Sequence, residues 1–85
     1  MLKYDTEEKR IKFVKKKGNL ITFKEKFYPN GTLNQGFSQV AVTGFKKDKS
    51  GAVKIIGFGH DSLWYDSMND LLEAIDFEQM EKWHS

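Results

Sequence analysis

The stretch RIKFVKKKGNLITFKEKF, residues 10–27, decides how this chain is read. In its first half Ile11 and Phe13 alternate with Arg10, Lys12 and Val14; in its second half Ile21, Phe23 and Phe27 alternate with Thr22, Lys24 and Lys26. A two-residue period belongs to a strand with one buried face, because successive side chains of an extended chain point to opposite sides. With Lys17-Gly18-Asn19 as a polar turn, the stretch predicts two strands, over about 9–17 and 20–28.

Downstream, Tyr28-Pro29-Asn30-Gly31 has Pro at its second position and a residue tolerant of positive φ at its third, the chemistry of a reversal. FSQVAVTGF, residues 37–45, alternates again, with Val40 and Val42 on one side and Phe37, Gln39, Ala41, Thr43 and Phe45 on the other. It predicts a strand over about 36–46. Lys47 to Gly51 is a polar turn, and AVKIIGF opens a last strand over about 52–59. Four strands joined by short turns predict an antiparallel meander.

From Ser67 the period becomes helical, with Met68, Leu71, Leu72 and Ile75 on one face and Ser67 and Asp70 as a capping pair. A straight continuation would turn Phe77 about 180° and Met80 about 120° away from Met68. A break near Asp76 is therefore expected, giving a helix over 67–76 and a short helix over 77–83 that carries Phe77, Met80 and Trp83. The expected fold is α+β: a four-stranded antiparallel meander followed by a C-terminal helix, bent or split near Asp76, packed on one sheet face.

Composition narrows the function classes. With 85 residues, 39% of them hydrophobic, the chain makes one domain, residues 1–85. A domain this small buries roughly 60–65% of its unfolded surface, which argues against a deep catalytic pocket. The absence of Cys removes disulfides, thiolate chemistry and Cys-type zinc sites, and points to a reducing compartment. MLKYDTEEKR has acids where a signal peptide has its apolar core, and no run approaches the ~18 apolar residues of a membrane span. A cytoplasmic protein without a membrane partner is expected, and the Asn30-Gly31-Thr32 triplet then reads as a turn.

GFGHDSLWYDS, residues 57–67, is the most chemical-looking stretch. Its Gly-x-Gly lacks the third Gly of a phosphate cradle. His60, Asp61 and Ser62 are consecutive, so their side chains cannot converge as base, orienting carboxylate and nucleophile. It reads as a connection, with Gly57 and Gly59 allowing close packing or a bulge, Asp61 and Ser62 turning the chain, and Leu63 with Trp64 or Tyr65 anchoring it. A metal site would require His60 to meet His84, the only other histidine. No catalytic residue, metal site or cofactor is expected, and the chain is read as a binding protein.

The net charge of +2 conceals a separation. Residues 1–54 hold thirteen Lys and Arg against five acids, a net of +8, while residues 55–85 hold Lys82 against seven acids, a net of −6. Two candidate surfaces follow. A helix covers one sheet face, leaving Lys12, Lys24, Lys26, Tyr28, Phe37, Gln39 and Phe45 on the other, with Lys16 at a hairpin tip. Rings among lysines suit single-stranded nucleic acid, whose bases stack at roughly 1–3 kcal/mol each while lysines neutralise phosphates. The nucleic-acid candidates are therefore Lys12, Lys16, Lys24, Lys26, Tyr28, Phe37 and Phe45; the competing placement puts Phe37 and Phe45 in the core after a bulge, or in a homodimer interface. In element order and face chemistry the chain resembles the PC4-like single-stranded-DNA-binding fold, which implies paired sheets and a helix-mediated dimer. The opposite pole offers Asp66, Asp70, Glu73, Glu78 and Glu81 for docking on a basic nucleic-acid-binding protein, in the manner of small phage or mobile-element inhibitors of nucleases.

Overall fold

The structure is a computed structural model and describes residues 5–28 and 36–84. Its elements run α1 (Glu7–Lys15), β1 (Leu20–Phe27), β2 (Phe37–Lys47), β3 (Val53–Gly57), α2 (Met68–Ala74) and α3 (Phe77–His84). The class is α+β with an antiparallel sheet, but the sheet has three strands, ordered β1-β2-β3, and not four. The reversal expected at Pro29–Gly31 and the side chain of Trp83 lie outside the described residues.

The missing strand is α1, and local chemistry explains the correction. Thr6 caps the helix by accepting from the Lys9 amide at 3.2 Å; Glu7 and Glu8 occupy the first turn and Lys12 and Lys15 the last, the arrangement that a helix dipole favours. Asp5–Lys9 (3.0 Å) and Glu8–Lys12 (3.9 Å) are i,i+4 pairs on an exposed face, where solvent screening leaves them little weight. What selects the helix is burial. Val14 is fully buried, with Ile11 and Phe13 packed partly against the same core; a strand would have sent Val14 to the opposite side from both. Asn19 closes the helix by donating from its side-chain amide to the Phe13 carbonyl at 3.0 Å. With a helix leading and three strands following, the likeness of element order to the PC4-like fold does not hold.

β2 is the central strand. Ile21 pairs with Val40, and Val42 with Gly57, before the β2–β3 register shifts between Val42 and Gly44. That bulge reverses the inside-outside parity of β2. Val40 and Val42 face the helices, and beyond the shift so does Phe45, directly opposite the fully buried Ile55. All three helices cover the same face: Val14, Leu71, Leu72, Phe77 and Met80 share one core with Ile21, Phe23, Val40, Val42 and Ile55.

Both outer edges of the sheet are occupied. The segment after β3 folds back along it, with Val53 and Tyr65 exchanging two backbone hydrogen bonds of 2.8 Å each. Next along, the Ser62 amide donates to the Ile55 carbonyl and the Ser62 hydroxyl accepts from the Ile55 amide, both at 2.9 Å. At the β1 edge, the Asp76 amide donates to the Thr22 carbonyl at 2.8 Å, and the Thr22 amide donates to the Met80 sulfur at 3.5 Å. Such cover removes backbone groups on which another chain could template. The helical tail divides here: Ile75 bridges to Phe23, and Asp76 caps α3 by accepting from the Gln79 amide at 3.0 Å.

Gly57 marks the closest approach. A Cβ there would overlap the His60 carbonyl oxygen and Val40 Cγ1, whereas one on Gly44 would meet Ile56 at an ordinary 3.5 Å. Gly57→Ala is expected to cost about 2–3 kcal/mol in urea denaturation, as for overpacking, and Gly44→Ala less than about 0.5 kcal/mol. Equal losses for the two would contradict the close approach.

Candidate nucleic-acid interface

The face of the sheet away from the helices is open, and its composition follows from two parity arguments. Gly57 takes a core-side position opposite Val42, so the next residue, Phe58, turns outward; its amide is fixed to the Ala41 carbonyl at 3.0 Å and its ring is 81% exposed. Tyr65 pairs with Val53 and faces inward, stacking on Phe23 at 6.1 Å with the rings 3° from parallel. Trp64 is therefore left on the open side, 48% exposed. Leu20, opposite Ala41, is 45% exposed, and the cross-strand pair Lys46 and Lys54 completes the face.

Lys54 holds this corner together. Its ammonium lies 5.1 Å from the Trp64 ring centroid and 3.0 Å from Asp61 Oδ2, so the indole is backed by a cation and the cation by a carboxylate. Burial raises the Asp61 pKa, but the hydrogen bonds from Lys54 and the Gly57 amide and the charges of Lys54 and Lys46 outweigh it, leaving the carboxyl below its ordinary value. Two like charges facing each other across the ladder would repel; Asp61 offsets that.

Beside Phe58 the face dips into a shallow groove of about 380 Å³ between Leu20, Phe37, Gln39, Ala41, Phe58 and His60. Phe37 and His60 stack with centroids 3.8 Å apart, and His60 Nε2 lies 2.8 Å from the Gln39 carbonyl oxygen. A carbonyl only accepts, so Nε2 carries the hydrogen. His60, Asp61 and Ser62 thus each serve a different neighbour: the Gln39 carbonyl, Lys54, and the β3 backbone.

The sequence-derived nucleic-acid residues are dispersed. Lys12 stands on α1 beside Glu8, and Lys16 follows the end of that helix, exposed. Phe45 lies on the helix side under Lys15, whose ammonium is 5.1 Å from its ring centroid. Lys24 borders an acidic cleft. Lys26, Tyr28 and Phe37 do come together around Gly36: a Cβ on Gly36 would sit 3.1 Å from Lys26 Cβ and 3.4 Å from the Tyr28 ring, and Gly36 and Phe37 line the groove. Sequence reading missed Leu20, Lys46 and Phe58 and left Trp64 undecided against Tyr65. The signals for them were the glycines at 44 and 57, which mark the bulge and the inward position, but register is needed to use them.

The acidic pole is rearranged too. Asp5, Glu7, Glu73, Asp76 and Glu78, with Arg10 and Lys24, surround a cleft of about 490 Å³ where α1, α2 and α3 meet. Of the expected acidic residues it gathers Glu73 and Glu78; Asp66, Asp70 and Glu81 lie elsewhere, Asp70 bonding to the Ser67 cap at 3.1 Å. Among the described residues no group of three His, Asp or Glu is placed to hold a metal, and no helix is long and apolar enough to cross a membrane. No protein-family model, curated protein or solved structure matches the chain.

The lowered Asp61 pKa makes stability pH-dependent. The ion pair's contribution is complete above the ordinary aspartate pKa and is lost as pH falls through the lower folded value. Asp61→Asn should destabilise by about 1–2 kcal/mol at pH 7, a charged hydrogen bond discounted for partial exposure. Thermal unfolding followed from pH 7 to pH 2 should show the gap between variant and wild type closing at the acid end; a constant gap would show that the pair does not titrate as described.

Proposed function

We propose that the protein is a non-enzymatic binding protein whose ligand is single-stranded nucleic acid, held on the open sheet face with Phe58 and Trp64 as stacking platforms and Lys26 and Lys46 near phosphates. The observation that carries this reading is the exposure of two rings on a face framed by lysines, in a chain whose first 54 residues have a net charge of +8. Scattered exposed apolar residues are ordinary. Here, however, an exposed phenylalanine lines a groove, and an exposed tryptophan is already backed by a cation, which lowers its ordering entropy on binding. Base stacking at about 1–3 kcal/mol per ring, plus counterion release from a few phosphates, suffices for micromolar affinity. A duplex hides its base faces and would use the lysines alone.

The acidic cleft favours a second reading, in which a basic segment of a nucleic-acid enzyme docks among Glu73, Glu78, Asp5 and Glu7 and the protein acts as its inhibitor. The two readings use opposite sides of the molecule.

Fluorescence anisotropy with labelled single strands and duplexes at low and physiological salt separates them. Micromolar binding of single strands, weaker binding of duplexes, a loss of about 5- to 50-fold for Phe58→Ala or Trp64→Ala, and a salt slope reduced by about one in Lys46→Ala are expected. Glu73→Lys should leave single-strand affinity intact or raise it. Absence of binding at low salt would overturn the nucleic-acid reading and leave the cleft as the surface to pursue.

A further inference from the structure

Resting on the nucleic-acid reading, we propose that the groove between Leu20, Phe37, Ala41, Phe58 and His60 is a pocket for a single unstacked nucleobase, distinct from the stacking surface of Trp64. Its depth comes from Ala41, the smallest side chain in the middle of the open face, flanked by Leu20 across the ladder and by Phe58. One wall is preformed. Phe58 is fixed at its backbone by Ala41, and Phe37 and His60 are locked as a stacked pair by the His60–Gln39 hydrogen bond.

The polar edge is equally defined. Because His60 Nε2 donates to the Gln39 carbonyl, Nδ1 is left as the ring's second polar atom. The Gln39 side chain gives one N–H to Thr22 Oγ1 at 3.3 Å and keeps its amide oxygen and second N–H; Ser38 adds a hydroxyl at the groove. Apolar walls with acceptors and donors along one rim fit a base, whose faces are apolar and whose edges hydrogen-bond. Charge favours a nucleic acid over an apolar peptide: the stem of Lys26 and the Tyr28 ring lie against Gly36, which lines the groove. A second copy of the chain inserting its own Phe58 is the competing occupant.

The test compares an intact pentathymidine with a pentanucleotide of the same backbone whose sugars are all abasic, each titrated by anisotropy against wild type, Ala41→Val, Phe58→Ala and Trp64→Ala. Ala41→Val fills the groove floor with a residue suited to strands, and Phe58→Ala removes an exposed ring, so retained folding is checked by thermal unfolding. The pocket predicts that each groove variant loses about tenfold affinity for the intact strand, one base's worth of contact, while binding the abasic strand as wild type does. It also predicts that Trp64→Ala combined with Ala41→Val loses about the product of the two. If wild type prefers the intact strand but Ala41→Val and Phe58→Ala bind it unchanged, the pocket is overturned while nucleic-acid binding stands. If no strand binds, both fall. Sedimentation showing a dimer that Phe58→Ala disperses would assign the groove to a second copy and overturn the pocket.

Discussion

The pairing of Tyr65 with Val53 is the constraint on which the remaining arrangement rests. Two reciprocal hydrogen bonds of 2.8 Å, extended by the amide and hydroxyl of Ser62 on Ile55, lay residues 61–65 along the outer edge of β3. Pairing fixes parity. Tyr65 must face the core, where it stacks on Phe23, and Trp64 must face outward, over Lys54. It also sets where the chain leaves the sheet, so that Ser67 can cap α2 and send Leu71 and Leu72 into the core. A short stretch that resembles catalytic chemistry is thus consumed in building the sheet: His60 holds Gln39, Asp61 holds Lys54, and Ser62 completes the edge.

Two departures from regular strand geometry create the surface proposed to bind. The bulge between Val42 and Gly44 takes Phe45 off the open face and into the helix layer. The bare Gly57, seated against Val40, leaves its successor Phe58 pointing outward. Charge follows the same division. The open side carries Lys46 and Lys54, and the stem of Lys26 lies against Gly36, which lines its groove, while α1 contributes its acidic first turn to a cleft shared with α2 and α3. Folding redistributes the separation of charge seen along the sequence: Asp5 and Glu7 join the acidic cleft with Arg10 and Lys24 at its rim, while Lys9, Lys12 and Lys15 stand on α1.

How much was legible in the sequence depended on how many residues carried each signal. The change of period at Ser67 involved four apolar positions and a capping pair, and α2 begins there. The rotation of about 180° between Met68 and Phe77 on a straight helix required a break, and the chain turns at Ile75 and Asp76 to bond with β1. Residues 9–17 rested on Ile11 and Phe13 alone, with Val14 left on the polar side; Thr6, the acidic first turn and the i,i+4 pairs argued for a helix, and Val14 is the residue that the core takes completely. For the candidate site, Lys26, Tyr28 and Phe37 were identified from local pattern. Phe58 and Trp64 were not, because their exposure depends on pairings between strands, and pairing is not local information.

Mapping the contact directly tests the central claim that the open sheet face is the binding surface. Backbone amide shifts of the isotope-labelled protein would be followed during titration with a short single strand. Binding on the open face would concentrate perturbations at residues 37–41, 54–58 and 60–64, with α2 and α3 unmoved. Shifts confined to residues 68–82, or to the acidic cleft at Asp5, Glu7 and Glu73, would contradict it.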